Sequence, residues 1–365
     1  MDIQKINTSE FEDKFKDIFD KNWNSLQREE LLSMTEKTQQ AQVNYITNTL
    51  RKPVLNKKLW PKIVVAAAVA VVFFSAGLFY YAMYIKPNGQ ITAHTRDVAP
   101  GKNGATLTLA NGKKIKLSEM HVGALAHESG VTIAKSANGE LIYEKNDLAK
   151  IKDETNVLST GRGETYHVRL PDGSIVYLNA ESRLTYSVSL GMGSKRIVKL
   201  IGEGYFEITK DKMHPFIVET GEQKVEVLGT HFNINAYGNE AEIRTTLLEG
   251  SVKVKAGDST TLRPGEQAVF ASKKIRVLNV DVEDAVAWKN GYFMFNSEPL
   301  ESIMNKLARW YNIKFTFEND TLKSKTFFGT IGRFEQLSKV LEVLGRTNAA
   351  EFTIEGKTVI IKQTY

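Results

Sequence analysis

The spacing of apolar positions changes character along the chain and divides it into regions. Near the start, Phe11, Phe15, Ile18, Phe19 and Trp23 follow one another at helical spacing, which puts all five on one face. Ser9 and Glu12 ahead of them form a capping box. A helical tail is therefore predicted over residues 1–60. One short helix cannot bury that face against itself, so it packs on a second helix from residues 25–50, docks on a partner protein or lies on the membrane surface, the last disfavoured by its acidic polar face. The next region, "IVVAAAVAVVFFSAGLFYYAMYI" at residues 63–85, runs 23 residues without a charge. At about 1.5 Å per residue it spans a hydrocarbon core of about 30 Å, and soluble helices rarely stay apolar all round for this length. Trp60 flanks it on one side, and Tyr80, Tyr81 and Tyr84 lie at the other end, where amphipathic rings favour the headgroup layer.

Beyond residue 104 the period shortens to the alternation of β-strands. "LTLANGKKIKL" (107–117), "ANGELIY" (137–143) and "VRLPDGSIVYL" (168–178) each place Asn-Gly or Asp-Gly between alternating segments, which predicts hairpins with type I′ turns. Many short strands with Gly and Pro punctuation follow, as expected of a mainly β domain, a sandwich or a solenoid-like stack. One strand breaks the rule. In "KVEVLGTHFNINAY", Val225 and Val227 occupy odd positions, whereas Phe232, Ile234 and Ala236 occupy even ones. A strand keeps its parity, so a β-bulge is predicted at Gly229. From residue 291 helical and strand periods interleave in the order β-α-β-β-α-β-β, a small α+β module. Its first helix presents Leu300, Ile303, Met304, Leu307 and Tyr311 inward. Its second presents Phe334, Leu337, Val340, Leu341 and Leu344. The predicted organisation is a tail (1–60), a membrane helix (63–85), β hairpins and linker (86–155), a β domain (156–280) and the α+β module (291–363).

Charge orients the chain. Arg51, Lys52, Lys57, Lys58 and Lys62 precede the apolar run, and only Lys86, Arg96 and Lys102 follow it closely. The bias places the N-terminus in the cytoplasm and the β regions outside it. The net charge of +6 is mild, and no basic tract carries interleaved aromatics, so direct nucleic-acid binding is not expected. The absence of cysteine excludes disulfides, thiolate catalysis and Cys-based zinc sites.

Catalytic motifs fail on inspection. The six histidines form no H-x-x-x-H pair. "GKT" at 356–358 lacks the first glycine of a phosphate loop, because Glu351 stands there. "GRG" at 161–163 has Tyr166 where a dinucleotide loop needs its third glycine. No G-x-S-x-G occurs. No catalytic residue, cofactor or metal is expected.

"RLPDGSIVYLNAESRLTY", "IGEGYFEITKDKMHPFIVET", "VEVLGTHFNINAY", "TTLLEGSVKV" and "LRPGEQAVF" resemble the successive blocks of the FecR-type (iron-dicitrate-sensor) anti-sigma regulators. Residues 281–363 resemble the family's C-terminal module, which is similar to the short domain of secretins and TonB-dependent transporters. The resemblance implies an inner-membrane signal transducer with a cytoplasmic N-terminus. Its periplasmic part would sense the signalling domain of an outer-membrane TonB-dependent receptor. Its tail would hold an extracytoplasmic-function sigma factor, and amphipathicity assigns that contact to Phe11, Phe15, Ile18, Phe19 and Trp23. Some members of that family are held to cut themselves at a Gly-Thr bond in the block matching Gly229 and Thr230. A threonine hydroxyl can attack the preceding carbonyl when the peptide is distorted, with His231 as candidate helper; the competing expectation is an intact chain. Two other readings fit the residues: a membrane-tethered carbohydrate-binding or hydrolytic β-domain, and a structural envelope component that oligomerises.

Overall fold

A computed structural model of the chain describes residues 97–128, 130–145 and 153–364. The chain divides into a unit Met1–Lys86 and a compact unit Pro87–Tyr365. The predicted tail helix and the apolar run 63–85 lie outside the described residues. No described helix is long and apolar enough to cross a membrane.

Alternation along residues 106–279 produces a two-sheet sandwich. The first sheet runs, in spatial order, through Lys114–Lys116, Thr106–Thr108, Thr155–Ser159, Arg183–Ser187, Arg196–Glu207, Phe216–Thr220, Gln223–Val227, Val252–Ala256 and Asp258–Leu262. The second runs through Gly123–Glu128, Val131–Lys135, Leu141–Lys145, Glu164–Arg169, Ile175–Leu178, Arg196–Glu207, His231–Ala236, Ile243–Glu249, Glu266–Ala271 and Lys274–Asn279. Successive hairpins alternate between the sheets and advance along the sandwich, so a solenoid-like progression builds a sandwich core. That core takes Leu107, Leu158, Leu184, Val198, Val225 and Val254 from one sheet, and Ile133, Val168, Val176, Phe206, Phe232 and Ile234 from the other. The strands before residue 146 pair with those after 155 and share this core.

The long strand Arg196–Glu207 belongs to both sheets. Its first half alternates, with Val198 and Leu200 buried and Ile197, Lys199 and Ile201 exposed. It bends at Gly202, where a side-chain carbon would lie 2.4 Å from Ser182 Oγ and 2.8 Å from the Glu181 carbonyl. Beyond the bend it pairs with His231–Ala236 and Ile175–Leu178.

The three predicted hairpins form, but not with type I′ turns. Asn111, Asn138 and Asp172 keep negative φ, and only the following Gly112, Gly139 and Gly173 are left-handed, at φ 83, 81 and 85. Each loop is three residues long, closed by paired bonds such as Leu170 N to Ser174 O at 2.8 Å and Gly173 N to Leu170 O at 2.9 Å. This is a type I turn followed by a glycine in the left-handed region. Pro171, whose ring fixes φ, suits the first central position of such a turn.

The C-terminal module has the predicted order: Tyr292–Pro299, helix Leu300–Tyr311, Lys314–Phe317, Thr326–Gly332, helix Leu337–Gly345, Glu351–Glu355 and Thr358–Lys362. A short helix, α1 (Val282–Val286), joins it to the sandwich; the two helices above are α2 and α3. Strands 292–299 and 326–332 form one antiparallel pair. Lys314–Phe317, Thr358–Lys362 and Glu351–Glu355 form a three-stranded sheet. The predicted inward residues of α2 and α3 are buried, with one exception. Phe334 precedes α3 rather than belonging to it, and it is exposed with its ring edge-on to Trp310.

Candidate functional site

The break in parity at residues 228–230 marks a corner. Gln223–Val227 lies in the first sheet and His231–Ala236 in the second, so Val225 and Phe232 face the same core from opposite sides. The bulge expected at Gly229 is instead on the neighbouring strand. His231 pairs with Glu249 and Phe232 with Leu247, which leaves Leu248 as the extra residue. Gly229 has φ +145, and a side-chain carbon there would sit 2.4 Å from Lys210 Cγ and 2.6 Å from Lys210 Cα. The corner is tied to the adjoining loop by Asp211 N donating to the Leu228 carbonyl at 2.8 Å, and Ile208 N to the Thr230 carbonyl at 3.1 Å. Thr230 is buried and its hydroxyl donates to the Ser251 carbonyl at 3.0 Å. His231 is half-buried, with Nδ1 3.5 Å from Glu249 Oε2. Threonine and histidine are thus neighbours in sequence whose polar atoms are engaged by different partners.

A second constellation lies where the C-terminal module covers the outer face of the second sheet. At its centre is Glu203, buried just past the Gly202 bend. Asn179 Nδ2 donates to one carboxylate oxygen at 2.8 Å and Asn233 Nδ2 to the other at 3.0 Å. Neither amide can turn round. The Asn179 oxygen accepts from Ala180 N at 2.9 Å and from Arg333 Nη2 at 3.1 Å, and the Asn233 oxygen accepts from Trp288 Nε1 at 3.2 Å. Glu203 therefore faces two fixed donors. Burial pushes its pKa up, and these hydrogen bonds oppose that rise.

From Glu203 the network passes into the module. Arg333, buried, donates to the Trp288 carbonyl and stacks 3.7 Å over the Trp310 ring. Burial lowers its pKa to about 10, with Glu203 acting in the opposite sense. Trp310 Nε1 donates back to the Arg333 carbonyl at 2.5 Å. Beside it Arg309, also buried, pairs with Glu240 at 2.5 Å and lies 3.8 Å over the Tyr237 ring. A cavity of about 430 Å³ adjoins these groups. It is lined by amide, charged and aromatic side chains, among them Asn235, Gln267, Trp288 and Arg309.

The same junction holds the first described residues of the chain. The Asp97 carboxylate accepts from Ser338 N at 3.1 Å at the start of α3, and also from the Ser338 hydroxyl. Val98 packs on the module core and accepts from Leu337 N at 3.1 Å. Gly101 lies against Trp310, and Lys102–Asn103 pairs in parallel with Glu164–Arg169. Arg162 reaches across to the carbonyls of Ala308 and Ile313 at 2.7 and 2.8 Å.

Of the residues singled out in the sequence, Gly229 and Thr230 are held in the corner. Phe11, Phe15, Ile18, Phe19 and Trp23 lie outside the described residues. The junction itself escaped sequence reading. Its signal was Glu203, a charged residue between two glycines at the point where strand parity predicts burial to change. Among the described residues no cluster of His, Asp or Glu is placed to hold a metal ion.

Comparison with known proteins follows the same division. Residues 156–253 match the family model described as FecR protein, and residues 292–361 the one described as FecR, C-terminal. No curated protein matches. Two crystal structures of a candidate anti-sigma factor from Parabacteroides distasonis ATCC 8503 are similar in fold. Both have 28% identity and a TM-score of 0.54. One match covers 57% of this chain and 99% of its counterpart; the other covers 58% and 100%.

Proposed function

Since this chain belongs to the FecR family, carrying a FecR domain followed by the family's C-terminal domain, we propose that it is an anti-sigma signal transducer. The observation that carries this reading is the ordered pair of family matches, supported by two similar structures from an anti-sigma candidate. In this reading residues 63–85 cross the inner membrane once. Residues 1–60 hold a sigma factor in the cytoplasm through Phe11, Phe15, Ile18, Phe19 and Trp23. The periplasmic part receives a signal from the signalling domain of an outer-membrane TonB-dependent receptor. The protein acts by differential contact rather than turnover: receptor engagement favours one arrangement over another. The junction suits such a relay, because residues 97–104, next to the proposed anchor, are held by the C-terminal module and the sandwich together. A partner that shifts the module shifts the segment leading to the membrane.

Different tags at the two ends test topology, cleavage and partner in one preparation. The N-terminal tag should retain a sigma factor, and Phe15→Asp with Trp23→Asp should abolish its recovery; recovery that survives both changes refutes the tail contact. Self-cleavage at Gly229–Thr230 predicts two fragments in the wild type and one full-length band in Thr230→Ala. Fragments that persist in the variant exclude this bond.

One observation favours the alternative of a carbohydrate-binding domain, namely the junction cavity with its amide and aromatic lining. That reading predicts a rise in thermal midpoint with a neutral saccharide, lost in Asn235→Ala and Gln267→Ala, and function independent of residues 1–60.

A further inference from the structure

The two broad faces of the sandwich are unequal. The C-terminal module covers part of the outer face of the second sheet, whereas the outer face of the first sheet is open along its width. Strand alternation lines that open face with bases. Lys114, Arg183, Lys199 and Lys253 are exposed there with no ion-pair partner among the described residues. Lys116, Lys224 and Lys255 share it and pair with Glu119, Glu219 and Glu226. Outward from the strands project seven bases against Glu219 and Glu226, which lie directly across from Lys199 and Lys253; further acids, among them Glu119, Asp153, Glu154 and Asp258, stand at strand ends or beside them, so the face keeps a positive excess along its middle. At nine strands about 4.8 Å apart it is some 40 Å wide. Between the lysines, Ile197 and Ile201 stand 43% and 59% exposed on the same side of the long strand as Lys199.

We propose that this face docks on the surface of an anionic phospholipid bilayer. Exposed isoleucines amid a field of lysines match what a headgroup layer receives: apolar tips that enter the interface, and cations attracted to the lipid charge. The chain length favours this occupant over an acidic protein. The apolar run ends at residue 85 and the described fold begins at Asp97. Fully extended, that stretch spans about 40 Å. The two sheets are only about 10 Å apart, so the open face can reach a bilayer that holds residues 63–85. A surface always within tether range meets the face at high effective concentration. The inference rests on the membrane-anchor reading.

The test uses residues 87–365, the compact unit, whose two cores are built from residues 98–361. Without residues 63–85 the fragment reports on the face and not on the anchor, which alkaline extraction of the full chain tests separately. The fragment is sedimented with vesicles of phosphatidylcholine, with or without 30% phosphatidylglycerol. Partitioning is expected only with phosphatidylglycerol, released by high salt, and weakened about 100-fold by Lys114→Glu, Lys199→Glu and Lys253→Glu together. The same number of reversals at Lys314, Lys339 and Lys357 on the C-terminal module should leave it unchanged. Circular dichroism of each variant confirms the fold. The proposal is overturned by absence of partitioning at low salt, or by equal binding to phosphatidylcholine alone. Partitioning that the three changes do not move overturns it too, as does salt-sensitive self-association that they dissolve.

Discussion

The two outer faces of the sandwich come from the same alternating code and end with opposite chemistry. On the first sheet the outward positions are mostly lysines, threonines and serines, with Arg183, the paired Glu219 and Glu226 and scattered isoleucines, and they meet solvent. On the second they include Asn233, Asn235, Thr246 and Gln267 beside Glu203, and they meet the C-terminal module. Amides have two-sided hydrogen-bonding capacity and carry no net charge, so they can be covered at modest cost if every partner is supplied. Lysines cannot be covered in this way without an opposing charge. The choice of polar residue, more than polarity itself, tells a face that will be covered by protein from one that will not.

Four variants probe this contrast, from the greatest effect downward. Trp310→Ala removes a buried ring that carries Arg333 on its face and a hydrogen bond on its edge. It should cost about 3–5 kcal/mol in urea unfolding and loosen the module from the sandwich. Gly229→Ala acts at the corner that feeds both sheets. Its new methyl group collides with the Lys210 backbone at a positive φ, and a loss of about 2 kcal/mol is expected by the same measurement.

Glu203→Gln tests whether the covered face depends on two-sided pairing. The glutamine amide would turn a donor toward one of two asparagine donors that cannot rotate, for a loss of about 1–3 kcal/mol. Its pH dependence has a defined sign. Burial raises the folded pKa of Glu203 above its ordinary value of 4.5. The associated stability is present below the unfolded pKa and is lost as pH rises through the folded one. The gap between wild type and Glu203→Gln should therefore be widest at the acid end and narrow toward neutral pH. The combined reversal of Lys114, Lys199 and Lys253 should change folding stability by no more than about 0.5 kcal/mol per site, which melting curves will show. A large loss there would mean that the open face is structural after all.

Much of the fold was legible because it rests on local rules. The C-terminal module was readable element by element, since its helices are amphipathic and its strands short and bounded. The hairpins were readable as hairpins. Their turn class was not, because Asn-Gly and Asp-Gly serve two-residue and three-residue loops alike and the closing pair decides between them. Phe334 was misplaced because its spacing from Leu337 fits a helix that starts only at Leu337. The corner at Gly229 was visible as a fault in periodicity, and its nature was not, since a bulge and a change of sheet both reverse parity. The junction lay further from view. Asn179, Glu203, Trp288 and Arg333 come from four separate segments, and nothing local says that they converge.

The clasp on Asp97 and Val98 has a consequence for the order of assembly. These residues lie at the start of the described fold, yet Ser338, which Asp97 holds, comes 241 residues later in the chain. The sandwich between them can close while this first segment still waits. Translation must pass Ser338 before this first segment finds its seat. A chain cut short after the sandwich would present its β core with this first segment unfastened, so the clasp distinguishes a copy that carries the C-terminal module from one that lacks it.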